Sequence, residues 1–183
     1  MSEMWTAADG TVITIRPIRA ADLALEREFV EGLSAPTGYQ RLMSARHPSL
    51  EELRRFTDID REREFALIAT MPVEGRERQI GVARYVRDES TRSDAEFAIV
   101  LSDHWQGRGL GTRLLVSLLV AAKRDGVRRL IGTTMSENRG MLALGRKLGF
   151  RLALDSGSAT ITNLVLDLDV WRSAEASGIG ASK

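Results

Sequence analysis

The chain has 183 residues, of which 43% are hydrophobic and 28% charged, and a formal net charge of +1. This is the size and make-up of one globular domain with a buried core, and the charge gives no long-range pull toward nucleic acid or membrane. Cysteine is absent, which excludes disulfides, thiolate zinc sites and a cysteine nucleophile, and two histidines, His47 and His104, are too few for a histidine metal cluster.

The N-terminal residues Met1–Gly10 are polar and lack the apolar core of a signal peptide. No apolar run reaches membrane-spanning length, so a cytoplasmic protein is expected. Thr11–Arg16, with Val12, Ile13 and Ile15, reads as the first strand, ended by Pro17. A helix is expected over Ala20–Leu33, with Leu23, Phe29, Val30 and Leu33 on its apolar side, broken by Pro36 and Gly38. A second helical stretch, divisible in two, runs from Tyr39 to Asp58, and Ser49 followed by Glu52 has the form of a capping box. Phe65–Met71 is a continuous apolar run suited to a central strand, Pro72–Arg78 a turn, and Gln79–Arg87 and Ala95–Leu101 two further strands. The short connections favour antiparallel pairing.

Trp105-Gln106-Gly107-Arg108-Gly109-Leu110-Gly111-Thr112 joins that last strand to a helix over Leu110–Arg124, whose Leu110, Leu114, Leu118 and Ala122 share a face. Alternating glycines let backbone amides crowd together, and a helix N-terminus adds unpaired N–H groups and partial positive charge. The junction therefore suits an anion, above all a phosphate, with Arg108 and Arg113 able to add charge. The spacing G-x-G-x-G fits neither a P-loop, which needs a following lysine, nor the G-x-G-x-x-G dinucleotide fingerprint. A strand over Arg128–Met135, a helix from Glu137 or Asn138 to Lys147, and strands near Phe150–Leu154 and Ala159–Asp167 complete a mixed α/β sheet with helices on both faces. Residues 1–172 form one domain in this reading, and 173–183, rich in Ser, Ala and Gly, a tail expected to be mobile.

The element order, the Gln106–Gly111 loop and the later run Glu137-Asn138-Arg139-Gly140-Met141-Leu142 through Lys147-Leu148-Gly149-Phe150 resemble the GNAT superfamily of acyl-CoA-dependent N-acetyltransferases. Ile15–Arg19, Phe56–Asp60, Gly81–Tyr85 and Ala95–Ala98 are similar to segments of the acetyltransferase domain of bacterial protein lysine acetyltransferases of the Pat type. In those proteins the domain is often fused to a cyclic-nucleotide-binding or acyl-CoA-synthetase-like region. This sequence carries neither, so a catalytic domain without control by cyclic AMP is expected.

The resemblance implies a mainly antiparallel sheet with a splayed central strand pair, acetyl-CoA lying between Ala95–Leu101 and Arg128–Met135, and no metal. Ile99, Val100 and Leu101 are then expected to bond the pantetheine arm. The amides of Gln106, Gly107, Arg108, Gly109, Leu110, Gly111 and Thr112 would hold the diphosphate. Asn138 would bond the arm, with Met141 and Leu142 packing nearby; its alternative role is to cap its own helix.

A lysine ammonium, with a pKa of roughly 10.4, has to lose a proton before it attacks. Glu96, matching the general base of the lysine acetyltransferases, is the candidate. Burial among apolar neighbours is expected to make it a better acceptor, the alternative being an ion pair with an arginine such as Arg84. An amide at Val100 or Leu101 would stabilise the oxyanion. Many superfamily members have a tyrosine acid where this chain has Gly145, and the lysine acetyltransferases also lack it. Tyr39 and Tyr85 are assigned no role. The expected reaction is direct transfer, in a ternary complex, to a lysine side chain of a protein. The alternatives are acetylation of a small-molecule amine, or a non-catalytic acyl-CoA sensor.

Overall fold

A computed structural model describes residues 2–42, 48–91 and 93–172. Eight strands form one sheet in the order β1-β2-β3-β4-β5-β6-β8-β7. They are β1 (Glu3–Thr6), β2 (Val12–Pro17), β3 (Glu64–Val73), β4 (Arg76–Arg87), β5 (Asp94–Leu101), β6 (Arg129–Met135), β7 (Arg151–Asp155) and β8 (Ser158–Asp167). The helices are α1 (Leu23–Glu31), α2 (Ala35–Leu42), α3 (Leu50–Thr57), α4 (Leu110–Arg124) and α5 (Arg139–Lys147). Every neighbouring pair is antiparallel except β5 with β6.

Three local readings are corrected. The polar N-terminal stretch, to which the sequence assigns no strand, contains β1, registered from Glu3↔Ile15 to Thr6↔Val12 and tied off by Ala7 N–H to Thr11 O at 2.9 Å. The turn read over Pro72–Arg78 is there but shorter: the strands continue into two residues, Glu74 and Gly75, both with positive φ, the geometry of a tight hairpin. Pro72 fits because β2 pairs with β3 only as far as Thr70, so its missing N–H disturbs no second ladder. Pro36 lies in the first turn of α2, where an amide hydrogen has no helical partner to lose.

The helix expected over Ala20–Leu33 is a 3-10 turn, Ala20–Asp22, followed by α1. The stretch from Tyr39 to Asp58 includes the end of α2 and all of α3, and residues 43–47 lie outside the described residues, as does the expected tail 173–183. The capping box forms: Glu52 N–H donates to Ser49 Oγ at 3.2 Å and Ser49 N–H to Glu52 Oε2 at 2.8 Å.

The sheet is packed on both faces. Leu110, Leu114, Leu115, Leu118 and Leu119 of α4 lie fully buried against Ile13, Ile15 and Leu67, and α5 adds Met141, Leu144 and Leu148 to that side. On the other face Phe29 and Val30 of α1 and Leu53 of α3 close over Ile68 and Val82. No helix among the described residues is long and apolar enough to cross a membrane.

Candidate active site

β5 and β6 pair only from Asp94↔Arg129 to Glu96↔Ile131. Beyond that β5 stays with β4 to Leu101↔Gly81, and β6 stays with β8 to Met135↔Ile161, so the two strands part. Phe97 stands at the fork with its ring across Gly132, where a Cβ would meet it at 2.5 Å. The gap is a cavity of about 590 Å³.

The hydrogen-bond polarity of β5 decides which backbone groups face it. Asp88 N–H donates to Asp94 O, and Ser102 N–H to Ile80 O, both at 2.9 Å. Since backbone groups alternate sides along a strand, the even-numbered residues of β5 turn theirs toward β4. Phe97, Ile99 and Leu101 turn theirs toward the gap. Val100 lines the cavity, but its N–H and C=O are directed at Val82. Ile99 and Leu101 are therefore the residues with main-chain groups to offer a ligand, or an oxyanion, in the gap.

At the C-terminal end of β5 comes the glycine loop. Gly107 and Gly109 have φ of 71° and 90°, and Gly109 is the residue from which α4 starts. Such alternation turns successive amides to one side. The intrahelical ladder begins with Arg113 N–H to Gly109 O at 3.1 Å, and among the described residues nothing accepts from the amides of Gly107 through Thr112. Gln106, Gly107, Gly109, Gly111 and Thr112 line the cavity, whereas the Leu110 side chain is fully buried and can contribute only its amide.

The two arginines expected to add charge here are held elsewhere. Arg108 donates to Asp9 at 3.1 Å and stacks over Trp105, and Arg113 donates to Glu3 at 3.0 Å. Both carboxylates belong to the β1–β2 hairpin, and Trp5 of β1 sits under Gly109. Lys147, which sequence reasoning passed over although it stands in the quoted motif, lines the cavity and donates from Nζ to Thr112 Oγ1 at 3.2 Å. Lys147 and Glu96 are the charged residues among the described lining, one beside the loop and the other at the fork.

Glu96 is exposed rather than buried, because even-numbered β5 side chains face the side where Ala98 is also exposed. It makes no ion pair with Arg84, whose guanidinium donates to Phe56 O at 2.7 Å and stacks on the Phe56 ring. Asn138 caps α5, its Oδ1 accepting from Met141 N–H at 3.0 Å, and it also lines the cavity with Met141, while Leu142 does not. Gly145 is buried, and a Cβ there would come within 2.6 Å of Leu164, so the position has no room for a tyrosine. Tyr85 lies remote from this chemistry: its hydroxyl donates to Asp125 at 2.9 Å, and burial together with that carboxylate pushes the phenol well above its ordinary value.

One polar cluster, exposed except at Thr37, joins the loop to α2. Asp103 Oδ1 accepts from Ser34 Oγ and Thr37 Oγ1, both at 2.7 Å, and Oδ2 from Ser34 N–H at 3.1 Å. Gln106 Nε2 reaches Thr37 Oγ1 at 3.3 Å and Leu101 O at 3.4 Å. Burial raises the Asp103 carboxyl, but the bonds from Thr37 and Ser34 outweigh it and hold the group below the usual carboxylate range.

Comparison with known proteins gives the family of the chain. The chain is 32% identical to a Pseudomonas aeruginosa protein called Acetyltransferase PA5475, over 78% of this chain and 76% of that one. It is 30% identical to Acetyltransferase Pat of Mycolicibacterium smegmatis, over 74% of this chain but 40% of that longer one. Its fold superposes on the crystal structure of the GNAT domain of S. lividans PAT with a TM-score of 0.79 at 24% identity, covering 91% and 96% of the two chains. A family model for the acetyltransferase (GNAT) domain matches residues 13–151, so a splayed strand pair leading into an amide-rich glycine loop is here the mark of a chain that belongs to the GNAT acetyltransferases, an acyltransferase enzyme family.

Proposed function

We propose that the protein transfers acetyl from acetyl-CoA to the side-chain amine of a lysine on another protein, directly and in a ternary complex. The observation that carries the reading is the run of unpartnered amides from Gly107 through Thr112 at the end of a strand whose edge lies open at Ile99 and Leu101. A diphosphate suits the amides, and the amides of a pantetheine arm suit the strand edge. Lys147 adds a cation at the diphosphate end. Asn138 and Met141 border the arm from the other wall.

Glu96 takes the amine proton at the far end of the gap. From Glu96 to Leu101 the strand rises about 17 Å, so base and phosphate cradle stand at opposite ends of one extended ligand. The neutral amine attacks the thioester carbonyl, and the oxyanion accepts from the gap-facing amide of Ile99, the nearer of the two to Glu96. The intermediate gives up its second nitrogen proton to water and collapses with loss of the CoA thiolate, which is protonated from water in turn, because Gly145 supplies no acid. With no cysteine available, no acyl-thiol intermediate on the protein is formed.

A protein acceptor is favoured by the exposure of Glu96, whose carboxylate is accessible to a lysine carried on a folded surface. The 30% identity to Acetyltransferase Pat supports the same acceptor class. The test is to incubate the purified protein with acetyl-CoA and a cell lysate and follow lysine acetylation by mass spectrometry, with CoA thiol release measured in parallel on a panel of small amines. New acetyl-lysine sites are expected. Thiol release with small amines and none on protein would reassign the acceptor, and binding without release on either panel would make the domain a sensor.

A further inference from the structure

We propose that Asp103 is a positioning residue: it fixes the start of α2 to the cofactor loop, so that filling the loop sets the wall that faces the acceptor. The inference rests on the acetyl-CoA reading above. Asp103 does not itself line the cavity, but Thr37 and Gln106 do. Thr37 is 8% exposed and Leu33, just before α2, packs on the sheet face that carries Val82 and Val100, the same side to which Glu96 points. The start of α2 is thus part of the Glu96 side of the cavity.

The donor and acceptor inventory makes the cluster directional. Thr37 has one hydroxyl hydrogen, and Asp103 Oδ1 at 2.7 Å takes it. The Thr37 oxygen is then left as an acceptor for Gln106 Nε2, whose second hydrogen reaches Leu101 O, an open-edge carbonyl of β5. A chain of bonds runs from Asp103 through Thr37 and Gln106 to the strand edge where the ligand's arm lies. Asp103 also accepts from the Ser34 amide and hydroxyl immediately ahead of α2. A ligand that orders the Gln106–Thr112 loop must therefore also order the first turn of α2, and the coupling is lost when Asp103 is removed.

Amide hydrogen exchange on the full chain, with and without saturating acetyl-CoA, tests this. In the unchanged protein the ligand is expected to slow exchange at 107–112, and at 35–42 by about fivefold or more. In Asp103→Ala, slowing at 107–112 is retained and slowing at 35–42 disappears. A purely structural Asp103 would loosen α2 in the free protein yet leave the ligand-induced slowing in place. Thr37→Val, which removes the hydroxyl and keeps the shape, should behave like Asp103→Ala, whereas Thr37→Ser should restore the coupling; this pair decides the matter if Asp103→Ala does not fold. Absence of protection at 107–112 in the unchanged protein would refute the cofactor reading itself. Protection there with none at 35–42, or equal protection of 35–42 in Asp103→Ala, would overturn the role of Asp103 alone.

Discussion

At the scale of single residues, the site has a division of labour between a carboxylate at the fork and a set of amides at the loop. Glu96→Gln keeps the shape and removes the proposed base, so kcat should fall about 10²- to 10⁴-fold in steady-state assays while acetyl-CoA affinity holds. An unaltered kcat would take the base role from Glu96. Lys147→Met should weaken acetyl-CoA about tenfold by calorimetry and flatten the salt dependence of binding, because Lys147 is the cation that borders the cradle. Equal affinity and equal salt dependence would show that the amides suffice. Gly109→Val forces a β-branched residue into φ of 90°, a left-handed conformation that costs an L-residue about 1–2 kcal/mol, and should weaken acetyl-CoA measurably.

Several of these residues were legible in the sequence because they sit in one continuous local pattern: a strand, three spaced glycines and a 3.6-residue apolar repeat. The partners of Arg108 and Arg113 were not. Asp9 and Glu3 lie 99 and 110 positions away, and nothing local to the loop announces that its arginines are drawn off. Val100 shows a different limit. Its type and place suited the gap, but the direction of its backbone groups depends on which cross-strand pairs of β4 and β5 are hydrogen-bonded. The burial expected for Glu96 failed because its apolar neighbours alternate between two faces, only one of which is covered at that point.

Among the elements, α4 is both the core's main contributor and the carrier of the loop. Its leucines repeat with helical period and all meet the same sheet face, which is why its bounds were read correctly. Leu118→Ala should cost about 2–5 kcal/mol in urea unfolding, since the side chain is fully buried among large neighbours. β1 is the opposite case. Four residues are too few to display a period, and the strand exists because it pairs with β2 and sets Trp5 under Gly109 and Glu3 against Arg113 and Ser117. The element missed by sequence reading is thus a brace behind the glycine loop.

The whole molecule is a sheet covered on both faces in its first half and forced apart in its second, and an ion pair braces it well away from the fork. The Arg16–Asp22 pair, at 2.8 Å and nearly buried, ties the turn before α1 to β2, with Glu77 as a second partner of Arg16. Burial raises the Asp22 carboxyl, but the Arg16 guanidinium and the Arg19 amide prevail and hold it below its ordinary value. A carboxylate with a lowered folded pKa contributes stability above its unfolded value of about 3.9 and loses it as pH falls through the folded one. Asp22→Asn should therefore be less stable than the unchanged protein at neutral pH, and the gap should close in acid, below about pH 4. A gap independent of pH would mean the charge of Asp22 contributes nothing.

The central claim is that the amides ahead of α4 grip the diphosphate of acetyl-CoA while the open edge of β5 holds its arm. The most direct measurement is a titration of isotope-labelled protein with acetyl-CoA, following backbone amide resonances by NMR. The account predicts the largest shifts at Gly107 through Thr112, with Ile99 and Leu101 moving and Val100 far less. Saturable binding that leaves the Gly107–Thr112 amides unmoved would contradict it.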